Sequence, residues 1–288
     1  MQAVKWPHGC KSAAMFTFDL DGDIIWQNMS SDEPNADKLI RARSVGQYGP
    51  NRCVDMILDL LDKYGVKATF FVPGYVAEHN PAVVKKIHAA GHEIGNHGYT
   101  HERFVEKTRE EQIEIIEKTQ KIIKDITGTA PVGFRTPSGD WAVDTPYLLE
   151  ERGFSYSSSM RGDDRPYRTV LDGRVTDFIE IPSKWELDDY VAQAYNIYPA
   201  EPAGLDRISC YRNVQQNYLA EFAGYHRYGL CISFLMHPQI SGAPGRNQIL
   251  EEILREVTSH QDVWVATGSQ IADWWRQTYP ARAVGRDR

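Results

Sequence analysis

The stretch Ala13-Ala-Met-Phe-Thr-Phe-Asp-Leu-Asp-Gly22 runs through small and apolar side chains and then meets two carboxylates and a glycine. A short apolar run closed by a turn residue reads as a strand buried on both faces, the kind that parallel sheets contain. Its polar end carries Asp19 and Asp21, which stand two residues apart and so on one side of an extended chain. The same pattern returns along the sequence. Segments 68–72, 92–96, 132–135, 155–160, 178–181, 229–235 and 262–266 read as further strands.

Helical patterns separate them. Val54, Ile57, Leu58 and Leu61 follow the i, i+3, i+4, i+7 template, and Gly65 supplies the stop. A short helix from Pro81 to Ala90 ends at Gly91. Thr108-Arg-Glu-Glu111 is a capping box that opens a long helix, with Ile113, Ile116 and Ile123 inward and the pairs Glu114–Lys118 and Glu117–Lys121 outward. Further helices are predicted near 214–226, 248–259 and 270–278. Seven or eight strands alternating with helices predict an α/β fold around a parallel sheet, closed as a barrel or open and doubly wound.

With 288 residues the chain is long enough for two domains at roughly 150 residues each, yet α/β barrels use about 250 as one unit. No repeat, low-complexity block or Gly/Ser linker divides the alternation, so a single barrel-like domain is predicted over 1–280, with 281–288 a flexible tail. A chain that is 42% hydrophobic and 25% charged is neither disordered nor a disulfide-dense miniprotein. A net charge of −7 excludes a general nucleic-acid binder, which needs a basic footprint. Cys10, Cys53, Cys210 and Cys231 form no Cys-x-x-Cys pair and read as reduced structural thiols. The first residues hold no apolar signal-peptide core, and the longest apolar run, Leu230–Met236, is too short to span a bilayer. A cytoplasmic protein with no membrane and no nucleic-acid partner is expected.

The conspicuous polar residues fall at strand ends, where α/β barrels carry their chemistry. Asp19 and Asp21 end the first strand. Asn96-His97-Gly-Tyr-Thr-His101-Glu102 follows the third, Phe134-Arg135-Thr-Pro-Ser-Gly139 the fourth, Trp185-Glu-Leu-Asp188-Asp189 the sixth, and His237-Pro238 the seventh. Taken singly, each has a plain alternative. An Asp-x-Asp-Gly can cap a loop, a His pair at i, i+4 can sit on a solvated helix, Arg135 can be an ordinary salt-bridge partner, and His237 a hydrogen-bonded core residue. Together they offer one carboxylate and two imidazoles with coordination positions left open, the catalytic pattern for Zn²⁺ or a similar ion.

These motifs resemble the polysaccharide deacetylases, the NodB-like carbohydrate esterases of family four, from about Ala13 to Thr278. The resemblance is carried by Thr17-Phe-Asp-Leu-Asp-Gly22, His97-Gly-Tyr-Thr-His101, Arg135-Thr-Pro-Ser-Gly139, Trp185 with Asp188, and Leu235-Met-His237. It implies a deformed (β/α) barrel. The family's usual first motif has adjacent aspartates, whereas Leu20 separates them here. This form looks like a subgroup of peptidoglycan-deacetylase-like, allantoinase-like and cyclic imide hydrolase-like proteins, as do Tyr48-Gly-Pro-Asn-Arg52 and Ser138-Gly-Asp-Trp141. Allantoinase-like members without a metal also lack its ligands; this chain keeps them.

The resemblance implies that Asp21, His97 and His101 hold one divalent metal, zinc first, with Co, Fe, Ni or Mn as alternatives. It makes Asp19 the general base, Arg135 the group that holds Asp19 ionised, and His237 the proton donor to the departing nitrogen. The Ser138 backbone N–H becomes the oxyanion donor, with Trp185, Asp188 and Tyr99 at the substrate. The activity it implies is hydrolysis of a non-peptide C–N bond, namely N-deacetylation of an amino sugar in peptidoglycan or an oligosaccharide. The alternative is opening of a small cyclic imide, amide or ureide in the cytoplasm, and a third reading is a non-catalytic binding barrel. Seven of the fifteen tyrosines, Tyr190, Tyr195, Tyr198, Tyr211, Tyr218, Tyr225 and Tyr228, suggest either a sugar platform or helix packing. The polar loop 23–49 is long enough for a lid or a contact between copies in a homo-oligomer.

Overall fold

The structure is a computed structural model that describes residues 4–195 and 209–281. Tyr198 and nearly all of the expected tail lie outside the described residues. In chain order the elements are β1 (Ser12–Asp19), α1 (Ile24–Met29), α2 (Ile40–Tyr48), α3 (Val54–Lys63), β2 (Thr69–Val72), α4 (Gly74–His79), α5 (Pro81–Ala89) and β3 (Glu93–Asn96). They continue with α6 (Arg109–Thr127), β4 (Gly133–Phe134), α7 (Thr145–Glu151), β5 (Tyr156–Ser157), β6 (Tyr167–Leu171), β7 (Arg174–Glu180) and α8 (Asp189–Gln193). The last are α9 (Tyr211–Tyr228), β8 (Cys231–Met236), α10 (Pro238–Ser241), α11 (Pro244–Ser259), β9 (Val263–Val265) and α12 (Gly268–Thr278).

One sheet joins the strands in the order β6-β7-β5-β4-β3-β2-β1-β8, with β9 beside the first residues of β1. Every pairing is parallel except β6 with β7. The eight parallel strands are those the apolar runs predict. β6 was not, because Tyr167–Leu171 is half exposed and mixes arginine and threonine with its apolar residues, so it gives no buried-strand pattern. At the other edge, a single bridge between Asp188 and Leu235 links the segment after β7 to β8.

The register aligns the C-terminal ends. Asp19 pairs with Phe71, Val72 with Asn96, Asn96 with Phe134, Phe134 with Ser157, and Phe18 with Met236. Residues just beyond these points therefore share one rim. All eight residues of β1 are buried, and its two faces divide cleanly. Ala14, Phe16 and Phe18 pack with Ile57 and Leu61 of α3, Phe222 of α9 and Ile253 of α11. Ala13 and Met15 face Phe71, Tyr156, Ile179 and Cys231. That second face, continued upward, presents Thr17 and then Asp19.

The capping box of α6 forms as predicted: Thr108 Oγ1 accepts from Glu111 N, and Thr108 N donates to Glu111 Oε2. Ile116 and Ile123 are buried, and Ile113 is partly buried against the same layer. The two predicted surface pairs do not form. Glu117 takes Arg152 at 3.0 Å, Lys121 takes Asp125, and Lys118 stands 3.4 Å above the Tyr99 ring. Exposed pairs gain too little to hold one geometry against such neighbours. Segment 23–49 is not an extended loop but carries α1 and α2. Gly46 of α2 sits so close to the backbone that a Cβ there would lie 2.1 Å from Gly22 O. Among the described residues all four cysteines are free, and no helix is long and apolar enough to cross a membrane.

Candidate active site

Asp21 lies two residues past the end of β1, with its side chain fully buried. Among the described residues, neither of its carboxylate oxygens has a hydrogen-bond partner. Three imidazole nitrogens face it instead: His97 Nε2 at 3.5 Å, His237 Nε2 at 3.5 Å and His101 Nε2 at 3.9 Å. A buried, unpartnered carboxylate is costly unless a cation answers it. Ligand atoms of Asp21, His97 and His101 all lie within 4.8 Å of one another, so one divalent ion fits among them.

The imidazoles are aimed by their other nitrogens. His97 Nδ1 is 2.8 Å from the Arg135 carbonyl, which accepts its proton and leaves Nε2 as a ligand atom. His101 Nδ1 is 3.2 Å from Ser138 Oγ. The two histidines do not share a helix face as their spacing alone suggests. Their loop is folded by two side chains. Asn96 Oδ1 accepts from Gly98 N, and the Glu102 carboxylate accepts from Tyr99 N, Thr100 N and Thr100 Oγ1. Positive φ at Gly98 and His101 then turns both rings inward. Burial pushes the His101 imidazole down to about 4, against the pull of Asp21.

Asp19 and Arg135 are both buried and joined at 2.8 Å. Arg135 also donates to Thr17 Oγ1, the Ser158 carbonyl and Ser158 Oγ, and its guanidinium lies 4.3 Å over the Phe71 ring. It is thereby fixed in a plane. Burial pushes the Asp19 carboxyl up, but Arg135, His97 and His237 outweigh it and hold the group below the usual carboxylate range. The free oxygen of Asp19 faces His97 Nε2 at 3.8 Å.

His237 follows β8, and its Nδ1 lies 2.7 Å from Asp189 Oδ1. The second Asp189 oxygen accepts from His237 N and Ser241 Oγ. Burial opposes a charge on His237, yet the Asp189 hydrogen bond and nearby Asp21 and Asp188 raise it to about 10. Sequence reading singled out Asp188, which instead accepts from Tyr190 N as the cap of α8 and lies 3.9 Å from His237. Burial lifts its carboxyl to about 6. Adjacent aspartates are indistinguishable by spacing; the turn into α8 decides which one meets the imidazole.

A cleft of about 280 Å³ opens over these groups. Asp19, His97, His101, Arg135, Ser138, Trp185, Asp188 and His237 all line it, while Ile25 and Met29 of α1 cover one side. Ser138 has φ +55°, and Trp185 is 55% exposed. Tyr99 is not part of this wall. Its hydroxyl donates to Glu78, its ring packs edge-on against Tyr75, and Lys118 lies over it, so the side chain is tied to α4 and α6. Of the clustered tyrosines among the described residues, only Tyr190 lines the cleft, packed on His237; Tyr218 and Tyr225, both on α9, are buried in the core.

Residues 47–157 match the polysaccharide deacetylase family. Over its full length the chain is similar to a Mycobacterium smegmatis protein classed with the polysaccharide deacetylases, at 33% identity, TM-score 0.89 and 98% coverage of that chain. It is 28% identical to a Helicobacter pylori peptidoglycan deacetylase, covering 92% of this chain and 96% of the relative. The structure of PuuE allantoinase has the same fold at TM-score 0.80 and 23% identity, covering 96% of this chain and 94% of that one. Matched along its whole length by such a relative, and with the family's motifs gathered at one rim, the chain belongs to the polysaccharide deacetylase family.

Proposed function

We propose that this protein is a metal-dependent hydrolase of non-peptide C–N bonds, an N-deacetylase of N-acetylated amino sugars in peptidoglycan or an oligosaccharide. One observation carries the reading. Asp21 is a buried carboxylate without hydrogen bonds, faced by three imidazoles, with an arginine-held carboxylate and a carboxylate-held histidine beside it.

Asp21, His97 and His101 would hold the ion, with zinc the choice for this donor set. When bound, such an ion polarises the scissile carbonyl and acidifies water. The chain's own residues do the rest. Arg135 keeps Asp19 ionised, and Asp19 takes the proton from the attacking water. The Ser138 N–H stabilises the oxyanion that develops on the carbonyl oxygen as water attacks its carbon. Asp189 orients His237 and keeps it protonated, so that it gives its proton to the departing nitrogen as the C–N bond breaks. Acetate and a free amine result. Acid–base help of this kind is worth about 10²–10⁴-fold per group.

The size of the cleft favours one other reading, ring opening of a small cyclic imide or ureide, since about 280 Å³ suits a compact ring. Both are tested by incubating zinc-reconstituted protein with chitooligosaccharides, peptidoglycan fragments, hydantoins, succinimides and allantoin. Acetate release from the sugars supports the deacetylase. Ring opening without acetate release overturns it in favour of the second reading.

A further inference from the structure

Four residues past β5, on the same rim, Arg161 lines the cleft beside Asp19 and His237. Every other arginine or lysine near it has an acidic partner: Arg135 with Asp19, Arg165 with Asp163, Arg168 with Asp177, and Lys184 with Asp164 at 2.9 Å. Arg161 has none. Among the described residues no carboxylate oxygen comes within 4.0 Å of its guanidinium. Among the described residues, the only hydrogen bond of its side chain is from Nη1 to the Ser159 carbonyl at 3.0 Å, and Nε is buried without a partner. The guanidinium lies 3.8 Å from the centre of the Trp185 ring, which holds its plane. Burial also works against its charge.

A half-buried guanidinium that is rigidly stacked but unpaired is a cost to the free protein, and an incoming anion relieves it. The cleft is small enough that one ligand reaching Asp19 and His237 also reaches Arg161. Asp19 and Asp188 share the wall, so a monoanion is favoured over a dianion. We propose that Arg161, backed by Trp185, is a carboxylate-binding subsite, and that the substrate carries a carboxylate close to the bond that is cut. This rests on the cleft being the hydrolytic site of the proposed function.

The test uses ligands with no bond left to hydrolyse by the proposed reactions. Zinc-loaded wild type, Arg161→Met and Arg161→Lys are titrated calorimetrically with two matched pairs. Muramic acid differs from glucosamine by its 3-O-lactyl group, which ends in a carboxylate; succinamate has a carboxylate where succinamide has a carboxamide of nearly the same shape. Methionine keeps a stem to stack on Trp185 and removes the charge, whereas lysine keeps a charge without the planar fork. In wild type the carboxylate-bearing member of at least one pair should bind about 10-fold tighter or more than its carboxylate-free partner. That ratio should fall to near one in Arg161→Met and be partly kept in Arg161→Lys. The pair that shows it tells whether the carboxylate belongs to a sugar or to a small acid. Equal binding within both pairs, no binding of either anion, or an unchanged ratio in Arg161→Met overturns the proposal. Acetate release from N-acetylglucosamine oligomers is measured on the same wild-type sample. Its absence would remove the deacetylase reading and leave an anion preference standing.

Discussion

Asp21 has two buried oxygens and, among the described residues, no hydrogen-bond donor; three imidazoles face it, and His97 and His101 complete with it the proposed ligand set. Replacing Asp21, His97 or His101 with alanine should therefore remove stoichiometric zinc and turnover together, read by metal analysis of the purified protein and by assay. Asp19→Asn should behave differently, keeping zinc while kcat falls by about 10²-fold or more. An Asp19→Asn variant with wild-type kcat would refute its role as base. Asp189→Asn should likewise keep zinc, since Asp189 touches His237 and not the proposed ligand set, and lose a similar factor in kcat. Wild-type kcat in that variant would leave His237 without need of its partner. Most of these residues were legible in the sequence because each breaks an apolar run at a strand end. Asp189 was not, as nothing in Asp188-Asp189 says which carboxylate turns inward. Tyr99 was misplaced for a related reason: in a loop bent by positive φ at Gly98 and His101, neighbours along the chain point to different sides.

At the scale of elements, the site depends on joints that spacing does not reveal. α2 is seated against the turn that carries Asp21, and Gly46 makes the approach possible. Gly46→Ala should destabilise the fold by about 1–3 kcal/mol and weaken zinc binding, because the backbone of Gly22 and Asp23 that a Cβ would meet must move. Unchanged zinc affinity would show that the turn is held by other contacts. A second joint lies between β2 and β3, where His92 Nδ1 accepts from Ala68 N. Burial, with Lys67 nearby, lowers this imidazole from 6.5 to about 4. Between those values the unfolded chain binds the extra proton, so stability is complete above about pH 6.5 and is lost as pH falls toward 4. His92→Asn keeps an acceptor and removes the titration. Urea unfolding at pH 7 and pH 4.5 should show a smaller acid loss in the variant than in wild type; equal losses would contradict the assignment. The capping box and the apolar helix faces were readable from local sequence. The helices within 23–49 and the strand β6 were not, as both are polar segments fixed by what they pack on.

Over the whole molecule, the candidate site draws on β1, β3, β4 and β8 and on the start of α8, from Asp19 to His237. The alternation of apolar strands with helices was enough to foresee an α/β fold and a shared rim. It was not enough to foresee the edge, where an antiparallel hairpin ends the sheet on one side and a single bridge from Asp188 reaches β8 on the other. That bridge depends on one backbone pairing, which has no side-chain pattern to announce it. Because the proposed ligand set spans two separate strand ends, those of β1 and β3, metal binding would be coupled to the folded arrangement. Zinc at about 100 times its Kd should raise global stability by about 2.7 kcal/mol, visible as a higher Tm than in chelator-treated protein. The most direct measurement of the central claim is acetate release from an N-acetylglucosamine oligomer as zinc is titrated into metal-stripped protein. No release is expected without metal, then a linear rise that saturates at one zinc per chain, and none at any zinc level in Asp21→Ala. Full release in the presence of chelator, or no release at saturating zinc, would contradict it.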